Sequence, residues 1–212
     1  MMTMVQIMRA RFKRGLVLFQ IRSGRRMPPT RLNLACGPKH LCGYLNIDIT
    51  SDADLPLDLA KSNLPFSDNS IETVVCMSAI NYFSRSRAVE IIHEIYRILG
   101  EGGVTRFGVQ DMRLLAQHYL DRDEVFYLQI LNSGKQRFEG ETLGDKFASW
   151  FYGYCTAGGP VRYMYDYESL ALLFQKAGFR IVEQKSYLES RLPDVVEIDN
   201  RPDQMFFLEA AK

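Results

Sequence analysis

Apolar residues change their spacing several times along this chain, and each change marks an element. Between residues 4 and 21, Val5, Met8, Phe12, Leu16 and Phe19 recur at three- and four-residue intervals, with basic residues between them. That spacing predicts an amphipathic helix ending near Ser23-Gly24. Pro28-Pro29 then blocks any continuation, because proline lacks the backbone N–H a helix needs. From Arg31 the period shortens. Residues 31–35 and 44–49 read as strands, and Pro56-Leu57-Asp58-Leu59 as a short third. The β-branched run Ile71-Glu72-Thr73-Val74-Val75-Cys76-Met77 reads as a buried parallel strand, entered through the turn residues Ser67, Asp68, Asn69 and Ser70.

Helical spacing returns over Arg87–Leu99 with Val89, Ile92, Ile95, Tyr96 and Leu99 on one face, and Gly102-Gly103 is expected to cap it. Val104–Val109 follows as a strand. Residues 112–165 break the alternation with a helix over Met112–Leu120, a polar stretch, and the aromatic block Trp150, Phe151, Tyr152 and Tyr154. This segment is expected to be a mostly helical cap inserted into the domain. An amphipathic helix from Asp166 to Ala177, closed by Gly178, leads to strands near 180–187 and 204–210 that are expected to pair antiparallel. Strands alternating with helices predict an α/β fold: a doubly wound, mostly parallel seven-stranded sheet with a C-terminal antiparallel hairpin. Residues 1–30 form the helix and linker, and residues 31–212 the main domain with its 112–165 insertion.

Composition narrows the class. With 212 residues, 47% apolar and 24% charged, the chain reads as one soluble domain of ordinary size. No apolar run approaches the roughly 18 residues of a spanning helix, and the N-terminus lacks a signal peptide's order of regions. Cys36, Cys42, Cys76 and Cys155 form no CxxC pair, and with His40, His93 and His118 they show no ligand spacing. Reduced thiols in the cytoplasm and no metal are the expectation. The net charge of +1 is unevenly distributed: no acid precedes Asp48, whereas Arg9, Arg11, Lys13, Arg14, Arg22, Arg25, Arg26 and Arg31 do. The N-terminal helix is therefore expected to meet an acidic face of its own domain, an anionic membrane surface or a second subunit. Nucleic acid is disfavoured, since no aromatic-interleaved basic groove follows.

The chemistry concentrates in Leu32-Asn33-Leu34-Ala35-Cys36-Gly37-Pro38, followed by Tyr44-Leu45-Asn46-Ile47-Asp48. A strand running into a small-residue turn lets backbone N–H groups approach a ligand, and a carboxylate ending the next strand suits ribose hydroxyls. Gly37 and Asp48 are only eleven positions apart, against about 20 in a dinucleotide fold. The first crossover helix is therefore expected to be short or replaced by the loop Lys39-His40-Leu41-Cys42-Gly43, which argues against a nicotinamide cofactor.

With three further runs, this motif resembles the class I S-adenosylmethionine-dependent methyltransferases, most closely a small type 11-like bacterial branch. The runs are Asn46-Ile47-Asp48, Leu64-Pro65-Phe66-Ser67-Asp68-Asn69-Ser70-Ile71-Glu72-Thr73-Val74 and Glu94-Ile95-Tyr96-Arg97-Ile98-Leu99-Gly100-Glu101-Gly102-Gly103-Val104. The resemblance covers residues 31–111 and returns over 166–210. It implies a Rossmann-like sheet, S-adenosylmethionine as cofactor and S-adenosylhomocysteine as product. Ala35, Cys36 and Gly37 would form the turn beside the cofactor's methionine portion. Asp48 would hold the ribose, Ile49 the adenine face, and Asp58 and Leu59 the adenine edge. Cys76, Met77 and Ser78 would lie near the sulfonium.

Two departures stand out. Ala35 replaces a usual glycine, and Asn81-Tyr82 stands where many relatives carry Glu-His, which removes an obvious general base. Methyl transfer depends mainly on alignment and desolvation, so that loss is compatible with activity. Tyr82 and Asp111 are the candidates for catalytic contact with substrate. The resemblance implies methyl transfer to a small-molecule or saccharide-type acceptor. A non-methylating enzyme on the same fold, or an inactive cofactor-binding or membrane-associated scaffold, are the alternatives.

Overall fold

The computed structural model describes residues 3–25, 27–131, 134–152, 155–156 and 159–212. Among them seven strands form one sheet in the order β3-β2-β1-β4-β5-β9-β8. The strands are β1 (Arg31–Leu34), β2 (Leu45–Asp48), β3 (Leu55–Pro56), β4 (Ile71–Met77), β5 (Leu99–Gln110), β8 (Ile181–Lys185) and β9 (Met205–Ala211). Strands β1 to β5 pair in parallel, while β9 runs antiparallel to both β5 and β8. The mostly parallel sheet and its antiparallel C-terminal pair are as the pattern predicts. The third strand occupies only Leu55–Pro56. Leu57, Asp58 and Leu59 lie beyond it.

The flanking helices are α1 (Met4–Arg22), α2 (Arg85–Ile98) and α6 (Tyr167–Ala177). Each starts at a side chain that satisfies free N–H groups: Thr3 for α1, Ser84 for α2 and Asp166 for α6. Gly178 ends α6 at φ +110, as expected of a left-handed cap. The end of α2 differs from expectation. Leu99 is its cap, and Gly100 to Gly103 already belong to β5, where a register shift against β4 between Ile71 and Thr73 absorbs the extra residues. The glycines serve a strand irregularity rather than a helix cap.

Leu32, Leu34, Ile47, Val74, Ile92, Ile95, Phe107, Phe174 and Leu208 are buried in the main core between sheet and helices. The 112–165 segment holds α3 (Met112–Leu120), α4 (Glu124–Tyr127), α5 (Leu143–Tyr152) and a short antiparallel pair, β6 (Cys155–Thr156) with β7 (Gly159–Pro160). It has a second core of Leu115, Phe126, Tyr127, Phe138 and Trp150. The last short helix, α7 (Val195–Ile198), lies in the connection from β8 to β9.

Helix α1 packs on the sheet's edge strand β3. Val17 is buried, Leu18 and Ile21 join the main core, and Lys13 Nζ donates to the carbonyls of Ser51 at 3.2 Å and Asp52 at 3.4 Å. The apolar stripe through Val5, Met8, Phe12, Leu16 and Phe19 is exposed. The helix docks through its other face.

Candidate active site

Only ten residues separate β1 from β2, and no helix spans them. Two buried asparagines replace it. Asn33 and Asn46 are paired in register on the adjacent strands, and Asn33 Nδ2 donates to Asn46 Oδ1 at 2.9 Å and to the Lys39 carbonyl at 3.0 Å. Asn46 Oδ1 also accepts from Leu41 N–H at 2.8 Å, and Asn46 Nδ2 donates to the Leu41 carbonyl at 3.2 Å. The loop's buried backbone groups are satisfied by side chains where a helix would have satisfied its own.

At the end of β1 the chain bends through Ala35 at φ +49 and Gly37 at φ +53. Asp48 ties this turn to the end of β2, one oxygen accepting from Gly37 N–H at 3.0 Å and the other from Thr50 N–H at 3.1 Å. At the end of β4, Ser78 also has a left-handed backbone, φ +56, and its N–H donates to the Gly108 carbonyl at 2.8 Å. Two non-glycine residues thus hold strained conformations at neighbouring strand ends, each at a cost of about 1–3 kcal/mol borne by the surrounding packing.

These strand ends open into a cavity of about 1040 Å³, at the upper end of the usual size for small-molecule sites. It lies beyond the carboxyl ends of the parallel strands, where open α/β sheets bind ligands. Ala35, Cys36, Gly37, Asp48, Ile49, Asp58, Leu59, Met77, Ser78 and Tyr82 all line it. Asp58 accepts from Ala60 N–H at 3.0 Å and pairs with Lys61 at 3.2 Å. Cys36 is buried, and desolvation, with Asp48 and Asp54 nearby, pushes its thiol up to about 12, so it stays protonated. That fits packing rather than nucleophilic work.

Two expected site residues fall elsewhere. Cys76 does not line the cavity; it is buried in the main core one residue below Met77. Asp111 also lies outside the lining and caps α3, accepting from Arg113 N–H at 2.8 Å. Burial raises its pKa while the N–H groups of Arg113 and Leu114 oppose that rise. Asn81 is fully buried, its Nδ2 donating to the Tyr163 carbonyl at 3.2 Å and its own carbonyl accepting from Arg162 and Tyr163. It clamps the return of the inserted segment to the sheet. Of the aromatic block, Trp150 is buried in the second core, Tyr152 is exposed, and neither lines the cavity; Tyr154 lies outside the described residues.

The opposite wall was not legible in the sequence. Ile198, Asn200 and Arg201 line it, with Lys39 Nζ donating to the Ile198 carbonyl at 3.3 Å and Arg201 Nη1 to Ser78 Oγ at 3.2 Å. A fully buried ion cluster holds this segment. Arg106 of β5 donates to Asp199 at 2.6 and 2.7 Å, to Glu209 of β9 at 2.9 Å, and to the Glu189 carbonyl at 3.0 Å. Asp199 accepts in addition from Leu188 N–H at 2.9 Å. The available signal was a charge within the β-branched and aromatic part of each of two strands, Arg106 in β5 and Glu209 in β9, and the two are indeed cross-strand partners.

The residues present fit a nucleoside cofactor with an amino-acid arm. A Cβ added at Gly37 would meet nothing within 4 Å, so the turn leaves open space for a ligand. The buried Asn200 Oδ1 has no hydrogen-bond partner among the described residues and can accept from an ammonium group. Among the described residues no group of His, Cys, Asp and Glu is arranged to hold a metal ion.

Comparison with known proteins agrees with this geometry. Residues 32–107 match the family model of the methyltransferase domain, type 11. An S-adenosylmethionine-dependent methyltransferase structure from Archaeoglobus fulgidus superposes with a TM-score of 0.53 at 13% identity, covering 94% of each chain. Another from Mesorhizobium loti gives 0.51 at 14% identity, covering 94% of this chain and 98% of that one. At such identities the likeness speaks for the fold. No curated protein matches the sequence. The methyltransferase-domain match spans residues 32–107, about a third of the chain, and the sheet order and the cavity at the strand ends agree with the fold of such domains.

Proposed function

We propose that the chain transfers a methyl group from S-adenosylmethionine to a small-molecule or saccharide-type acceptor in the cytoplasm. The observation that carries this reading is the single cavity wall formed by Ala35, Gly37, Asp48 and Ser78, large enough for a cofactor and an acceptor side by side. Asp48 would accept from the ribose hydroxyls with the lone pairs left over from Gly37 and Thr50. Ile49 and Leu59 would enclose the adenine, beside Asp58. Asn200 Oδ1 would take the ammonium group of the methionine arm. When bound, the cofactor supplies an electrophilic methyl group on a sulfonium.

The protein's part is to align and to exclude water. A site that brings acceptor and methyl into near-attack distance supplies much of the rate without a strong base. Tyr82 lines the cavity and would orient an acceptor hydroxyl or amine. Asp111, as a helix cap outside the lining, would act only through the placement of α3. Arg162 and Arg201 are exposed at the cavity wall and favour an acceptor that carries negative charge. The inserted 112–165 segment would cover the acceptor side.

The test is calorimetric titration with S-adenosylmethionine, followed by an acceptor screen read as a mass gain of one methyl group. Binding with a methylated product supports the proposal. Binding without any methylated product across sugars, amines and phenols favours the inactive scaffold, and transfer of a different group favours the non-methylating enzyme.

A further inference from the structure

Helix α1 is apolar on two opposite faces, and among the described residues only one of them has a partner in the fold. Its inner face carries the buried Val17, the half-buried Ile21 and the anchored Lys13. On the outer face Met4, Val5, Met8, Phe12, Leu16 and Phe19 are 45–78% exposed. At 3.6 residues per turn these six side chains fall within an arc of about 120°, centred opposite Val17 and Ile21. Arg11 and Arg22 border the arc on one side and Arg9 on the other, by the same geometry. Arg25 places its guanidinium 5.6 Å from the centre of the Phe19 ring, at the C-terminal end of the stripe. No acidic residue occurs before Asp48 to neutralise these arginines.

We infer that this outer face binds an anionic lipid bilayer, with α1 lying in the interface plane. An apolar arc edged by arginines matches the two components of such a surface: acyl chains take up the stripe, and lipid phosphates take up the guanidinium groups. The helix does not span, since no helix of the described residues is long and apolar enough to cross a membrane. A second copy of this chain is a poorer occupant, because a self-complementary interface on this face would oppose like-charged arginines. Docking of α1 on β3, next to Thr50 and Asp52 of the cavity lining, would hold the cavity close to the bilayer. The inference is independent of the acceptor and of methyl transfer itself.

The experiment is sedimentation of the full chain with two vesicle types, pure phosphatidylcholine and an equal mixture of phosphatidylcholine and phosphatidylglycerol, at low and high salt. Light scattering of the free protein runs alongside. The chain should pellet with the mixed vesicles only, and salt should reduce binding. The double variant Met8→Glu, Phe12→Glu should bind at least tenfold more weakly. The triple variant Arg9→Gln, Arg11→Gln, Arg22→Gln should bind about a hundredfold more weakly. All five substituted side chains are exposed, so circular dichroism and S-adenosylmethionine titration should be unchanged; a variant that fails these controls is replaced by Phe12→Ser alone. A monomer that pellets with neither vesicle type overturns the inference. So do equal binding to both types, and a dimer that the Phe12 substitution dissociates without any vesicle binding.

Discussion

On one side of the cavity, the wall from Ala35 to Ile49 is fastened by partners close in sequence: Gly37 to Asp48 across eleven residues, Asn33 to Asn46 across thirteen, Leu41 to Asn46 across five. On the other side, the wall at Ile198–Arg201 is fastened by Arg106, which reaches Asp199 across ninety-three residues and Glu189 across eighty-three. The first wall uses neutral amides and two carboxylates, Asp48 and Asp54, both close in sequence to the groups they hold. The second uses ions removed entirely from water, with Arg106, Asp199 and Glu209 fully buried at their side chains. A wall of the first kind forms with its two strands. A wall of the second kind waits for the whole sheet, because β5 and β9 must pair before Arg106 and Glu209 meet.

The sharpest way to break the contrast is to remove a buried ion. Arg106→Leu leaves buried Asp199 without its cation and Glu209 with only Arg191, at 3.8 Å, and should cost about 3–5 kcal/mol in chemical denaturation. Cofactor affinity should fall with it, because Asn200 and Arg201 lose their support. A loss below about 1 kcal/mol would contradict the assigned cluster. On the other wall, Asn46→Ala strands the Leu41 N–H and carbonyl and should cost about 1–3 kcal/mol. The difference between the two losses, measured under the same conditions, is the contrast itself.

A smaller effect is expected at Ala35. Its left-handed backbone is disfavoured by about 1–2 kcal/mol for a residue with a Cβ, and glycine's extra freedom when unfolded returns about 0.4–1 kcal/mol. Ala35→Gly should therefore stabilise by about 0.5–1 kcal/mol, read as a shift of the denaturation midpoint. A destabilised variant would mean that the Ala35 methyl packs usefully against the core. The least perturbing test is chemical. Burial holds the Cys36 and Cys76 thiols up at about 12, so the reactive thiolate grows only as pH climbs toward that value. Iodoacetamide at mildly alkaline pH should label the exposed Cys42 well before either, with peptide mass spectrometry as the readout. Cys36 labelled as fast as Cys42 would show the first wall to be open.

The same contrast explains what the sequence disclosed. The geometry of the β1–β2 wall was legible because strand, turn and acid lie within one short stretch, and local backbone chemistry dictates where each sits. Ser78 was placed correctly at the end of β4, yet its left-handed backbone carries no signature in residue type. Asn33 and Asn46 were visible as letters, but their pairing required the strand register. Asn200 and Arg201 read only as loop polars, since what places them is Arg106 in a distant strand. Asp111 misled for a related reason. An acid at the end of a parallel strand is also the natural N-cap of the next helix, and here the cap role places it outside the cavity lining. On α1 the periodicity identified the helix, while its docking face was the shorter-patterned one through Val17 and Ile21 rather than the long apolar stripe.

The most direct test is isothermal titration of S-adenosylmethionine and S-adenosylhomocysteine into the parent chain and into Asp48→Ala and Asp48→Asn. If Asp48 holds the ribose, the parent binds both ligands and Asp48→Ala loses about 1.5–3 kcal/mol, roughly ten- to a hundredfold in affinity. Asp48→Asn should recover part of that loss, because the amide oxygen still accepts from Gly37 N–H or from a hydroxyl. Parent-like affinity in Asp48→Ala, or no binding by the parent at all, would contradict the account.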